Sequence, residues 1–329
     1  MNAELYTNLN AALEELFGEG TTVTKRTGVS GGDINSAYLL ELSNGARLFM
    51  KENSRQNLGF FTAEAEGLRA LREACTATAA GISAEAGTSA AAGTSTAEYL
   101  QETHALRVPE APAVGCGERH SFLLMEPIEE GRRTAAASEA LGRGLARMHL
   151  ADAQKFAGGG RFGFLHDNFI GAGSQINTPK SSWIEFFSEC RLRPQFERAA
   201  SWFSKEERAA FDAFLGRLDR YLAEPAQPSL LHGDLWAGNY MIDQKETPWL
   251  IDPAAYVGHA EADLAMTELF GGFDRRFYDA YRETAGIDPG YPERRNLYNL
   301  YHLLNHLNLF GGTYLYSVRS ILKAYLPGH

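Results

Sequence analysis

One phrase constrains this chain more than any other: Leu231-His232-Gly233-Asp234-Leu235-Trp236-Ala237-Gly238-Asn239, followed by Trp249-Leu250-Ile251-Asp252-Pro253. It sets an Asp, an Asn five residues later, and a second Asp at the end of an apolar run. The tetrad between Asp234 and Asn239 reads as a tight turn that lets both side chains point the same way. Trp249-Leu250-Ile251 reads as a strand, which puts Asp252 at a strand end. One such Asp is explained by capping a turn or a helix. Transfer of a phosphoryl group to a hydroxyl needs more: a carboxylate to hold the acceptor and take its proton, oxygen ligands for Mg²⁺, and a cation for the phosphates. In that chemistry Asp234 is the catalytic base, and Asn239 and Asp252 are the metal ligands. One Asp and one Asn suffice, because Mg²⁺ takes few carboxylates beside substrate phosphates. With Asp234 as base, His232 is expected to be a structural hydrogen-bonder.

The missing cation is sought upstream. Ala37–Leu42 and Arg47–Lys51 alternate like strands on either side of Ser43-Asn44-Gly45, and Asn-Gly between two such runs signals a hairpin. Lys51 closes the second run. Glu64 follows on a helix expected over 61–73, where Phe61, Ala65, Leu68 and Leu71 share a face. Glu64 is the candidate partner of Lys51, with Glu66 as its rival. Before the hairpin stands Val29-Ser30-Gly31-Gly32-Asp33. Its adjacent glycines Gly31 and Gly32 would let backbone N–H groups approach a phosphate, although a Gly-Gly pair alone is ordinarily just a turn. A Gly-rich loop, a strand Lys and a helix Glu, in that order, make the front half of a protein-kinase-like phosphotransferase.

Strands therefore dominate the front of the chain, ending with Ser121–Glu126. The backbone of Glu126 and Ile128, on either side of Pro127, is the expected meeting point for adenine. Beyond it the apolar spacing becomes helical: Leu141, Leu145 and Met148; Trp183, Phe186, Phe187 and Cys190; Phe211 through Leu222; Leu297 through Leu307. The expected fold class is α+β, a two-lobed protein-kinase-like fold with a strand-rich N-terminal lobe over 1–127 and a mostly helical C-terminal lobe over 128–329. Residues 1–18 read as an amphipathic helix carrying Leu5, Leu9, Ala12, Leu13 and Leu16. Residues 76–103, built from Ala, Thr, Ser and Gly, hold few large apolar side chains and read mostly as a flexible surface insertion.

A formal net charge of -10 over 329 residues argues against a broad nucleic-acid surface. No apolar run approaches the roughly 20 residues that span a bilayer. The three cysteines have no zinc or CxxC spacing and read as reduced thiols. These features point to a cytoplasmic protein with neither a membrane nor a nucleic acid as partner.

The wording of the phrases goes further. HGDLWAGN with Trp236, the run Asp252 through Met266, Glu268-Leu269-Phe270-Gly271-Gly272-Phe273 and His302-Leu303-Leu304-Asn305-His306-Leu307-Asn308 resemble the fructosamine kinase (ketosamine-3-kinase) family. So do Ser30–Ile34, Phe162-Gly163-Phe164, Asp167–Gly171 and Trp183–Phe187. Aminoglycoside and choline kinases share an HGDxxxxN loop but neither the Trp nor the later phrases. The resemblance implies ATP-dependent phosphorylation of the carbon-3 hydroxyl of a ketosamine, small or protein-bound, such as a ribulosamine or fructosamine. Such products are unstable, so the reaction removes glycation adducts from amines. Two departures stand out: the insertion at 76–103, and Asp33 where some members carry a Cys, so no redox switch is expected in that loop. The competing readings are a small-molecule kinase of the aminoglycoside or choline type and a non-catalytic nucleotide-binding pseudokinase, although Lys51, Asp234, Asn239 and Asp252 are all present. Trp236 reads either as a substrate wall or as core. His302 and His306 lack the further ligands a zinc site requires. Asp263 is expected to cap its helix or brace the catalytic loop.

Overall fold

The computed structural model describes residues 5–30, 35–87 and 105–325, the side chains of 77–87 excepted. The chain forms two compact units, Met1–Leu141 with Tyr240–Pro253, and Gly142–Asn239 with Ala254–His329. The boundary expected at 127 therefore falls inside the first unit. The reason is backbone pairing: the Gly131 amide donates to the Ile242 carbonyl and the Gln244 amide to that of Glu129. These bonds carry 128–131 onto the hairpin Tyr240–Ile242/Pro248–Leu250.

The first unit is built on six strands: β1 (Leu5–Tyr6), β2 (Val23–Val29), β3 (Ser36–Leu42), β4 (Arg47–Ser54), β5 (Ala113–Cys116) and β6 (His120–Met125). They lie in the order β1-β5-β6-β4-β3-β2. The β3–β4 hairpin turns where Asn44-Gly45 predicts, with Gly45 at φ +85° and Leu39 opposite Phe49. Helix α1 (Leu9–Phe17) buries Ala12 and Leu13 against Leu40, Leu42, Leu48, Met50 and Phe122. It begins later than its apolar spacing suggests. The Asn8 side chain accepts from the Ala11 amide at 2.9 Å and caps the helix there, leaving Leu5 to pair with Val114 in a parallel β1–β5 contact.

Helix α2 (Leu58–Gly87) buries Phe61, Ala65, Leu68 and Leu71, the face its spacing identifies. It also runs to Gly87, so the first part of the segment read as an insertion is helical. Alanine supplies the propensity, and the packed first turns supply a nucleus to extend. The rest of that segment, 88–103, lies outside the described residues.

In the second unit, Trp183–Phe186 leads through a π-helical segment, Phe187–Leu192, into Arg193–Arg198. The other principal helices are Lys205–Leu215, Glu261–Leu269, Arg275–Ala285, Tyr291–Phe310 and Leu315–Tyr325. Leu297, Leu300, Tyr301, Leu304 and Leu307 are buried, as their spacing requires. Strand Ser229–Leu231 pairs antiparallel with Tyr256–Gly258 and delivers the chain into His232. A six-stranded sheet leads one unit and helices dominate the other, which makes the fold α+β. Among the described residues no helix is long and apolar enough to cross a membrane. None of the three cysteines forms a disulfide.

Candidate active site

In the first unit the geometry converges on Lys51. Phe49 and Lys51 project alternately with Met50 along β4, and Lys51 is buried, 8% exposed. Its Nζ meets the Glu64 carboxylate at 2.6 Å and also bonds Asp252 Oδ1. Glu64, not Glu66, is the partner. The face of α2 explains this, since Glu64 lies three residues after buried Phe61 and four before buried Leu68. Burial by itself would lower the Lys51 pKa, but the two carboxylates outweigh it and hold the ammonium charged well above its ordinary value. Burial pushes the Glu64 carboxyl up, aided by Asp252 and opposed by Lys51.

Asp252 follows the strand Pro248–Leu250 with φ +54°, in the left-handed region. Asp tolerates that region better than most residues, and backbone outliers of this kind cluster at functional sites. The turn aims a carboxylate from the strand end at the buried lysine while leaving its side chain 41% exposed.

Gly31 and Gly32 lie outside the described residues. The Glu126 amide donates to the Glu110 carbonyl at 2.8 Å, and its carboxylate faces Arg107 at 3.6 Å. Pro127 has no N–H.

The second unit carries the loop expected to be catalytic, His232–Asn239. Gly233 has φ +82°, and a Cβ there would stand 2.0 Å from the Ala254 carbonyl oxygen, so only glycine fits. The Asn239 Nδ2 reaches back five residues to donate to the Asp234 carbonyl at 2.8 Å, with its carboxylate at 3.3 Å. The backbone adds Asn239 N–H to the Trp236 carbonyl at 2.9 Å. With its nitrogen so committed, Asn239 has its Oδ1 left as a hard oxygen donor of the kind Mg²⁺ takes. Trp236 is 42% exposed and is no core residue. Its indole covers Gly238, where an added Cβ would come within 2.3 Å of the ring.

Asp263 holds this loop from beneath. It is 1% exposed and accepts from the His232 amide at 2.7 Å and the Gly233 amide at 2.9 Å. His149 Nε2 completes the arrangement at 3.1 Å, and its Nδ1 meets the Tyr281 hydroxyl at 2.8 Å. Burial alone would raise the Asp263 pKa, but the hydrogen bonds and the histidines outweigh it and keep the carboxylate ionised. His149 was not evident from the sequence. It stands three residues after Ala146 in a helix whose apolar spacing makes it look like one more core position.

Among the described residues no group of three or more His, Cys, Asp or Glu side chains that could hold a metal includes His302 or His306. The His306 Nδ1 lies 2.8 Å from the His302 carbonyl, so as donor it fixes the ring. His302 is 3% exposed, and burial, with His306 beside it, lowers its pKa to about 3. An unfolded histidine titrates near 6.5. The folded pKa is the depressed one, so the stability this neutral ring contributes is present above about 6.5 and lost as pH falls below it. Between pH 7.5 and 5.5 the loss from this residue amounts to about 1.4 kcal/mol. Urea unfolding at the two pH values should show a pH difference smaller by about that amount in His302→Gln than in the parent. Equal differences would disprove the linkage.

Known proteins align with this chain over most of its length. A family model described as fructosamine kinase matches residues 5–91 and 83–327. A probable ketoamine kinase of Synechocystis is 36% identical over 94% of this chain and 93% of its own length. The chloroplastic protein-ribulosamine 3-kinase of Oryza sativa subsp. indica is 38% identical over 94% of this chain and 81% of its own. A crystal structure from Thermobifida fusca, provisionally assigned as a fructosamine-3-kinase, superposes with a TM-score of 0.73 at 32% identity, covering 97% and 99% of the two chains. At the level of fold alone, a macrolide 2'-phosphotransferase of Brachybacterium faecium matches with a TM-score of 0.52 at 15% identity over 98% and 99%. The fold is thus that of the protein-kinase-like phosphotransferases, and the chain belongs to the fructosamine kinase family.

Proposed function

We propose that this chain is an ATP-dependent ketosamine kinase, transferring the γ-phosphoryl group of ATP to the carbon-3 hydroxyl of a sugar joined to an amine. The observation that carries the phosphotransferase part is the buried Lys51 bonded to both Glu64 and Asp252. Burying a cation among two carboxylates is costly without a purpose, and a lysine held charged in this way serves phosphate oxygens. The acceptor class is supported by relatives named ketoamine kinase and protein-ribulosamine 3-kinase that align over most of the chain.

In this reading Gly31 and Gly32 cover the phosphates, Lys51 grips them, and Glu64 orients Lys51. The Glu126 carbonyl and Ile128 amide face the adenine. Asn239 and Asp252 would hold Mg²⁺, which when bound neutralises the negative charge of the transferring group. Asp234 accepts the proton of the sugar hydroxyl, whose oxygen forms the new bond to phosphorus as the bond to the ADP oxygen breaks. Trp236 lies against the sugar. The neutral and acidic groups of the loop suit a polar, amine-bearing acceptor, and a cytoplasmic setting fits three thiols that form no disulfide.

The test is ATP consumption by the purified protein with Mg²⁺ and, separately, ribulose-lysine, fructose-lysine, choline or kanamycin. ADP release with a ketosamine, and phosphate appearing on its sugar, is the expected result. Turnover with choline or kanamycin alone would overturn the acceptor assignment. ATP binding without turnover of any of the four would favour a binding-only protein.

A further inference from the structure

A ketosamine has two halves, and the catalytic loop accounts for one. The sugar carries the hydroxyl that Asp234 would deprotonate. The amine that bears the sugar continues away from it as a carbon chain, and nothing in the loop itself addresses that chain.

Beside the loop, within the same unit, the family phrase Glu268–Phe273 changes direction. Gly271 and Gly272 have φ +74° and +93°. A Cβ on Gly272 would stand 2.3 Å from the Ala237 Cβ, so this bend is pressed onto the catalytic loop one residue beyond Trp236. The bend leaves Phe270 43% exposed at the end of its helix. The Phe270 ring lies 4.9 Å from that of His306. The His306 ring in turn lies 5.4 Å from Phe310 and 5.0 Å from Tyr314. Phe310 is 55% exposed. Three separate elements therefore bring rings to one surface: the end of helix Glu261–Leu269, the end of helix Tyr291–Phe310, and the turn Gly312–Tyr314. The His306 ring between them is tied to the His302 carbonyl.

Large aromatic side chains left half in water lose the burial that would stabilise them, and contiguous ones mark a binding surface. The chemistry of this surface suits one occupant. Ring faces take aliphatic chain by apolar contact and take a nearby ammonium by cation–π attraction. The amine of a ketosamine offers both. The chain's net charge of -10 also favours a cationic acceptor in the long range.

Resting on the ketosamine reading, we propose that Phe270, Phe310 and Tyr314 form a subsite for the carbon chain of the amine, the lysine side chain being the occupant it fits. The subsite makes the enzyme discriminate among ketosamines by what lies beyond the nitrogen. A ribulose adduct of methylamine stops short of it, and one of Nα-acetyl-lysine enters it.

The experiment compares kcat/KM for these two adducts in the parent, Phe270→Ala and Phe310→Ala. Both positions are about half exposed, and the unfolding midpoint of each variant verifies that it is folded. The ratio of lysine adduct to methylamine adduct should fall about tenfold in each variant. A ratio within twofold of the parent's in both variants would overturn the subsite. A parent enzyme that turns over neither adduct would instead overturn the ketosamine reading on which the subsite rests.

Discussion

Asp234→Asn should lower kcat about 1,000-fold while leaving the affinity for Mg-ATP within twofold. The size follows from what a positioned carboxylate contributes as a general base, typically two to four orders of magnitude. The selectivity follows from how the loop is held. The bond from Asn239 Nδ2 to the Asp234 backbone carbonyl survives the change, because it does not involve the carboxylate. Asp263 still accepts from the His232 and Gly233 amides. The cluster of Lys51, Glu64 and Asp252 is built within the other unit. A loose phosphoryl-transfer transition state draws the proton off late, so part of the loss is in positioning the hydroxyl, and the amide of Asn cannot repeat that role as an acceptor of charge. Steady-state kinetics with the ketosamine, alongside calorimetric titration of Mg-ATP, separates the two quantities. A variant with kcat within tenfold of the parent would remove Asp234 as base.

What the sequence reveals here depends on how far apart the interacting groups lie. The loop from His232 to Asn239 is readable because its key contact spans five residues and is closed by a turn whose glycines announce it. Lys51 and Glu64 are readable as a pair in order, and even the choice of Glu64 over Glu66 was present in the phase of Phe61, Ala65 and Leu68. That phase decides only once the helix is known to pack by that face. β2 escaped notice because Thr24-Lys25-Arg26-Thr27-Gly28 lies on the sheet edge, exposed along its length, and an edge strand need not alternate. β5 escaped because Ala113-Val114-Gly115-Cys116 is small. The structure supplies the reason, since a Cβ on Gly115 would stand 2.3 Å from the Phe122 ring. The bonds from 128–131 to the hairpin at 240–250 connect residues a hundred apart and left no local mark.

Distance along the chain also left the brace beneath the loop only half visible. Asp263 stands in the first turn of helix Glu261–Leu269, where an acidic residue ordinarily caps or meets the helix dipole. Its work is instead across the fold, on two amides thirty residues earlier. Asp263→Asn removes little volume but inverts half of the chemistry. One of the two amides then faces an NH₂ donor, the ionised partner of His149 is gone, and none of these groups can reach water at 1% exposure. Leaving a charge-assisted, buried network incomplete costs about 3–5 kcal/mol. The expected result is a fall of that size in unfolding free energy. Per folded molecule, counted by Mg-ATP binding, kcat should also fall at least tenfold, since the amides that Asp263 holds immediately precede Asp234. The KM for ATP should move little, because Lys51 and Glu64 lie in the other unit. His149→Ala tests the arrangement from its other end. It should destabilise the protein by a smaller amount and spare kcat, because Asp263 keeps both amides. If Asp263→Asn lost stability and kept the parent kcat per folded molecule, the brace would be a feature of the core alone and not of the catalytic loop.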